Sequence, residues 1–160
     1  MLELSDKVIK YLAMDVDGTL TDGKINMCAS GELFKSFSVK DGYAIHEILP
    51  QAGIIPVIIT GRTSGIVKRR AREMGVRETY QGVSDKTEAL KSVTADLSRV
   101  AFIGDDLNDL CCMKAVKAAG GVVGCPADAA KEVKEVADFV AKRDGGNGAV
   151  REFIEWIINR

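Results

Sequence analysis

Val8-Ile9-Lys10-Tyr11-Leu12-Ala13-Met14-Asp15-Val16-Asp17-Gly18-Thr19 is the stretch that decides the fold. An apolar run of strand length stops on a carboxylate. A second carboxylate follows two positions on, and a glycine lets the chain turn sharply away. Two acids spaced in this way at a strand end suit Mg²⁺, a hard cation that takes one or two carboxylates together with phosphate and water oxygens. The plainer alternative is an acidic turn that caps the next element.

The same pattern recurs downstream. Residues 54–59 form a second apolar run that ends at Thr60, and Val100–Ile103 a third that ends at Gly104-Asp105. Shorter strands are predicted near Thr79-Tyr80, 121–123 and Phe139-Val140. Helical patterns lie between them at 42–51, 65–74, 86–94, 109–116 and 128–136. Ser64 suits an N-cap and Gly75 a C-terminal stop. The last helix, near 149–158, places Val150, Phe153, Ile154, Ile157 and Ile158 on one apolar stripe. Alternating strands and helices predict an α/β fold: a Rossmann-like parallel sheet with helices on both faces. Ligands of such sheets sit at the carboxyl ends of the strands, near a topological switch point. Asp15, Thr60 and Asp105 are therefore expected to converge. Residues 24–39 break the alternation and read as a β-hairpin flap with its turn at Ala29-Ser30-Gly31.

Bulk properties fit one globular domain over residues 1–160, with 46% hydrophobic and 28% charged residues. The formal net charge is −1, from 22 basic and 23 acidic residues, so no field favours nucleic acid or an anionic membrane. No apolar segment approaches the roughly 20 residues needed to span a bilayer. Residues 1–10 carry Glu3 and Asp6 and do not read as a leader. Cys28, Cys111, Cys112 and Cys125 form no CxxC pair, and free thiols in a reducing cytoplasm are expected rather than a zinc site.

Other polar residues join the three strand ends. The Thr60 hydroxyl can donate to a phosphate oxygen; alternatively it opens an ST-turn. Lys86, after Gly82-Val83-Ser84-Asp85, can hold a carboxylate and a phosphate together as a point charge; alternatively it is solvated. Gly104-Asp105-Asp106-Leu107-Asn108-Asp109 adds metal-directed carboxylates, or an acidic N-cap turn.

These residues, in this order, resemble the haloacid dehalogenase superfamily of phosphohydrolases. The resemblance implies that Asp15 attacks phosphorus and that Asp17 first protonates the leaving alkoxide, then activates water. Thr60 and Lys86 would hold the phosphoryl group, with help from turn amides after Asp15. Asp15, the Asp17 carbonyl, Asp105 and Asp109 would form the Mg²⁺ site, with Asp109, and Asp106 in the same way, acting through a bound water. The gaps from Asp15 to Thr60 and from Thr60 to Lys86 hold no cap domain. A lid from a neighbouring subunit is expected instead.

A narrower resemblance rests on Phe37-Ser38-Val39-Lys40-Asp41-Gly42, Ile59-Thr60-Gly61-Arg62, Val67 with Arg70-Ala71, Tyr80-Gln81-Gly82 and Gly145-Gly146-x-Gly148-Ala149-Val150-Arg151-Glu152. These phrases are similar to the phosphatases of 3-deoxy-D-manno-octulosonate 8-phosphate. That family implies a small phosphorylated sugar acid as substrate, lipopolysaccharide synthesis as setting, and a homotetramer joined through its hairpins. The tail over 142–160 would reach a neighbour's site, with Arg143 and Gly145 to Gly148 as lid. Arg62, Arg70 and Lys40 become candidates for the sugar acid, together with Thr19, Asp41, Gly61, Arg143 and Gly146. Lys40 stands where the family pattern has arginine. Arg62 favours the eight-carbon ester over 9-phosphates of nine-carbon sugar acids. A receiver-like signalling module, a non-catalytic assembly domain and a phosphoprotein phosphatase are the rival readings.

Overall fold

In the computed structural model of the chain, residues 8–160 are described; most of the leader reading for residues 1–10 falls outside them. Strand β1 (Tyr11–Met14) leads into a hairpin of β2 (Asn26–Cys28) and β3 (Gly31–Phe34). Helix α1 (Val39–Tyr43) continues through a π-helical turn, Ala44–Ile48, into α2 (Leu49–Gln51). Then follow β4 (Ile55–Ile59), α3 (Gly65–Glu73), β5 (Glu78–Tyr80), α4 (Lys86–Val93), β6 (Val100–Ile103), α5 (Leu110–Ala119), β7 (Val122–Cys125), α6 (Lys131–Val136), β8 (Phe139–Val140) and α7 (Ala149–Ile158). Six strands form one sheet in the order β5-β4-β1-β6-β7-β8, every pair parallel. The chain winds outward from β1 to β4 and β5, then crosses back to β6. The switch point thus lies at the end of β1.

Strand periodicity distributes the core over both faces. Leu12, Met14, Ile58 and Ile103 face one layer, where Ile45, Leu49, Val67 and Ala71 meet Val150, Phe153, Ile154 and Ile157 of α7. Ala13, Val57, Ile59 and Phe102 face the other, against Leu90 of α4, Cys112, Met113 and Val116 of α5, and Val133 of α6. The α7 stripe is as expected except at Ile158, which is 38% exposed. No cap interrupts the fold. Between Asp15 and Thr60 lie only the hairpin and the α1–α2 helix, and between Thr60 and Lys86 only α3 and β5.

Several boundaries differ from the sequence expectation. The first strand spans Tyr11–Met14, with Lys10 joined to both neighbours by backbone hydrogen bonds just before it. The hairpin ends at Phe34 rather than at residue 39. Ser38 has extended backbone and its hydroxyl accepts from the Asp41 amide at 3.3 Å, so a helix starts at Val39 instead of 42. Val39 is consequently 83% exposed in a first helical turn, whereas Phe37 packs on the core. The π-turn precedes Pro50, which has no N–H to continue a regular ladder. The fifth helix starts after a 3₁₀ turn, Leu107–Asp109, and the sixth only at Lys131. Ser64 caps α3 and Gly75 follows it with φ +72°, as the sequence predicts. All four cysteines are free. Among the described residues, no helix is long and apolar enough to cross a membrane.

Candidate active site

Asp15, Thr60 and Asp105 stand at the carboxyl ends of β1, β4 and β6, three adjacent strands. The Asp15 amide still donates to Ile103 O at 3.1 Å, and the Thr60 amide to Tyr80 O at 2.9 Å. Both residues are therefore fixed by the sheet itself, and both are buried. After Asp15 the chain winds round one carbonyl: Val16 O accepts from the amides of Thr19, Leu20 and Thr21. The Gly18 amide donates to Thr21 Oγ1 at 3.2 Å. Of the turn amides expected to face phosphate, those of Gly18 and Thr19 are thus already engaged within the turn. Gly18 itself has φ +95°, and a Cβ there would collide with the Asp105 carboxylate. Glycine is required both by the backbone and by the closeness of that acid.

Lys86, at the start of α4, crosses the site. Its Nζ lies 2.6 Å from Asp15 Oδ1 and 2.7 Å from Asp109 Oδ1. The other Asp109 oxygen accepts from the amides of Asp105 at 2.9 Å and Asp106 at 3.2 Å. Asp109 is fully buried with both oxygens committed, so it braces the loop that presents Asp105. Asp106 turns outward and caps the 3₁₀ turn through the Leu107 amide. Thr19, expected on the substrate, is fully buried and donates to Asp105 Oδ1 at 3.3 Å.

Asp15, Asp105 and Asp109 bring carboxylate oxygens within 4.8 Å of one another. Three such charges against one ammonium leave the cluster two negative charges in excess. The pKa values express this: burial, then repulsion by Asp109, raises Asp15 to about 6 despite Lys86. Burial, then its hydrogen bond and repulsion with Asp15, raises Asp105 to about 8. A divalent cation bound by oxygen supplies the missing charge, and the donor set is the hard one that Mg²⁺ prefers. The residues present therefore fit such an ion.

The Asp17 side chain lies outside this cluster. Its Oδ1 pairs with Lys35 Nζ at 2.5 Å. Nothing in the local sequence marks Lys35, which reaches Asp17 only because the hairpin folds back over the strand end. Glu32 and Ser64 extend the contact, and burial lowers, but Asp17 and Glu32 more strongly raise, the Lys35 pKa.

The substrate candidates are dispersed. Gly61 and Arg62 are exposed beside Thr60, and the charge of Arg62 reaches Glu32. Lys40 is exposed on α1. Arg70 packs over the Phe37 ring at 5.7 Å and pairs with Glu73 at 3.4 Å. Asp41, expected on the substrate, is 1% exposed; its Oδ1 accepts from the Arg151 amide at 2.9 Å and so anchors the start of α7, while its Oδ2 has no partner. The tail, expected to supply a lid, is packed at this point. Gly145 and Gly146 lie against the backbone of Gly18, Thr21 and Asp22, with the Gly146 amide donating to Thr19 O at 3.0 Å and the Gly145 amide to Asp128 at 3.0 Å. This segment buttresses its own chain's nucleophile loop. Arg143 is exposed, with its carbonyl tied to the Ala127 amide.

A doubly wound parallel sheet with paired acids after its first strand, threonine after its second, lysine at a helix start and aspartate after its fourth defines a class: the phosphoric monoester hydrolases of the haloacid dehalogenase superfamily. No family model matches the chain. It is 40% identical over 154 residues to the 3-deoxy-D-manno-octulosonate 8-phosphate phosphatase KdsC of Yersinia pestis, covering 94% of this chain and 80% of that one. Among solved structures, the cobalt-bound Haemophilus influenzae phosphatase for this ester has TM-score 0.87 and 36% identity, covering 96% of this chain and 89% of that one. The Moraxella catarrhalis enzyme in complex with magnesium, phosphate and KDO has TM-score 0.86 and 43% identity, covering 94% and 86%. The chain belongs to the family of 3-deoxy-D-manno-octulosonate 8-phosphate phosphatases.

Proposed function

We propose that this chain hydrolyses 3-deoxy-D-manno-octulosonate 8-phosphate, with Mg²⁺ held by Asp15, Asp105 and the Asp17 carbonyl, and with Asp109 acting through a bound water. The observation that carries this reading is the buried Asp15–Lys86–Asp109 arrangement at the switch point, with Asp105 beside it. The relatives' substrate and the magnesium of the Moraxella structure support the choice of ester and ion.

The ion, when bound, neutralises phosphate oxygens and keeps Asp15 ionised. Asp15 Oδ attacks phosphorus and the P–O ester bond breaks. Asp17 gives its proton to the departing sugar alkoxide, leaving an aspartyl-phosphate on Asp15. Asp17 then takes a proton from water, which attacks the same phosphorus and releases inorganic phosphate and the Asp15 carboxylate. The covalent route divides one difficult step into two. Lys86 holds the Asp15 oxygen while the Thr60 hydroxyl and the turn amides other than those of Gly18 to Thr21 receive the phosphoryl oxygens. Arg62, exposed beside Thr60, would meet the sugar acid, with Lys40, Arg70 and Arg143 as further candidates.

Met27, Leu33 and Phe34 of the hairpin are 66%, 58% and 53% exposed. This supports association through the hairpins into the homotetramer that the family resemblance implies; the same resemblance is the ground for a cytoplasmic role in lipopolysaccharide sugar synthesis. The test is kcat/KM with Mg²⁺ for the eight-carbon ester beside 9-phosphates of nine-carbon sugar acids. A preference for the eight-carbon ester is expected; preference for a nine-carbon ester would keep the chemistry and refute the substrate.

A further inference from the structure

Lys35 is the cation that the hairpin brings to the site. Its side chain is 2% exposed, with Nζ 2.5 Å from Asp17 Oδ1 and 3.1 Å from Glu32 Oε2. The other Glu32 oxygen accepts from the Ser64 hydroxyl at 2.5 Å. Ser64 in turn caps α3 through the amides of Ile66 and Val67. A continuous set of contacts therefore runs from the first turn of α3, through the base of the hairpin, to the Asp17 carboxylate.

This set decides where Asp17 points. Asp15, two residues earlier, turns its carboxylate into the cluster with Asp105 and Asp109, while Asp17 stays outside that group. A carboxylate so near a cation site has a strong alternative partner. An ammonium already stripped of most of its water offers Asp17 a competing one, and the Glu32 charge offsets the cost of burying it. Lys35 faces two carboxylates, so it has little charge left for a substrate anion.

We propose that Lys35 is a positioning residue that holds Asp17 by its Oδ1 on the hairpin side, turned from the metal-directed cluster, so that Oδ2 carries the proton given to the ester oxygen. The proposal rests on the reading of Asp17 as proton donor to the leaving group. It gives the hairpin stem a part in catalysis that is separate from any contact between subunits.

The test compares kcat/KM for 3-deoxy-D-manno-octulosonate 8-phosphate, an alkyl ester, with that for p-nitrophenyl phosphate, whose leaving group needs little protonation. Wild type, Lys35→Met, Lys35→Arg and Asp17→Asn are assayed with Mg²⁺, and their melting temperatures are measured in parallel. General-acid help is worth about 10²-fold or more to a poor leaving group. Lys35→Met is expected to lose about 10²-fold on the sugar ester but under about tenfold on the aryl ester. Asp17→Asn should show the same split, and Lys35→Arg should recover part of the loss because the charge is kept. If Lys35→Met lowers both esters equally in step with its melting temperature, the lysine only supports the hairpin and the proposal is wrong. A raised KM at unchanged kcat would make Lys35 a substrate ligand, also overturning it. If Asp17→Asn shows no split, the reading of Asp17 fails and takes the proposal with it. A split in Asp17→Asn without one in Lys35→Met overturns the proposal alone.

Discussion

Replacing Lys86 by methionine removes the positive charge from the acid cluster while keeping a side chain of similar length. Lys86 contacts Asp15 at 2.6 Å and Asp109 at 2.7 Å, and all three residues are buried. At an effective dielectric of about 20, each such contact is worth about 6 kcal/mol. Returning the ammonium to water recovers several kcal/mol. The balance predicts a destabilisation of about 3–5 kcal/mol, the usual result of leaving a buried carboxylate unpaired. The measurement is urea unfolding at pH 8 in EDTA. At pH 5.5 the loss should shrink, because Asp15 and Asp105, already raised to about 6 and about 8, then take up protons instead. Turnover should fall at least about 10³-fold, since Asp15 loses its aim and the phosphoryl group a cation. Equal stability of the two proteins at pH 8 in EDTA would refute the account of Lys86 as the keystone of the cluster.

The remaining predictions concern the same acids and the turn beside them. Gly18→Ala combines a left-handed backbone, costing about 1–2 kcal/mol, with a clash on Asp105; isothermal titration should show Mg²⁺ affinity at least about tenfold weaker, and unchanged affinity would be contrary to the geometry. In metal-free protein, the raised pKa values of Asp15 and Asp105 mean that the fold binds protons more tightly than the unfolded chain does. Their contribution is complete below the unfolded carboxylate range and is lost as pH rises through about 6 and then about 8. Melting temperature in EDTA should therefore fall from pH 5.5 to 8.5, and Mg²⁺ should flatten that slope; a rise in EDTA would contradict it. Asp15→Asn should abolish turnover yet raise the melting temperature in EDTA at pH 8, because one repelling charge is gone. Substantial residual activity in that variant would remove Asp15 as nucleophile.

What was legible in the chain was whatever depends on local order. Apolar runs of strand length between helical stretches specify a parallel sheet, since only a surface buried on both faces makes such runs favourable. Strand direction then carries Asp15, Thr60 and Asp105 to one edge without any knowledge of side-chain contacts. Lys86 was readable because it opens a helix at that same edge. The helix at Val39 was less so: a serine cap and an alternating apolar pattern compete at residues 37–39, and packing of Phe37 on the core decides between them.

Contacts between distant segments left no such local mark. Lys35 on Asp17, Asp41 on the start of α7, Thr19 on Asp105 and Gly145-Gly146 on the nucleophile loop each join segments whose approach is set by packing. A charge or hydroxyl has the same sequence signature whether it meets substrate, solvent or another segment. By itself the sequence determined the sheet, its functional edge and the identity of the acids there, because periodicity and chain direction are local properties. Only the tertiary structure decided which polar groups are used up inside the protein and which remain for chemistry, because desolvation and pairing depend on what the rest of the chain brings alongside.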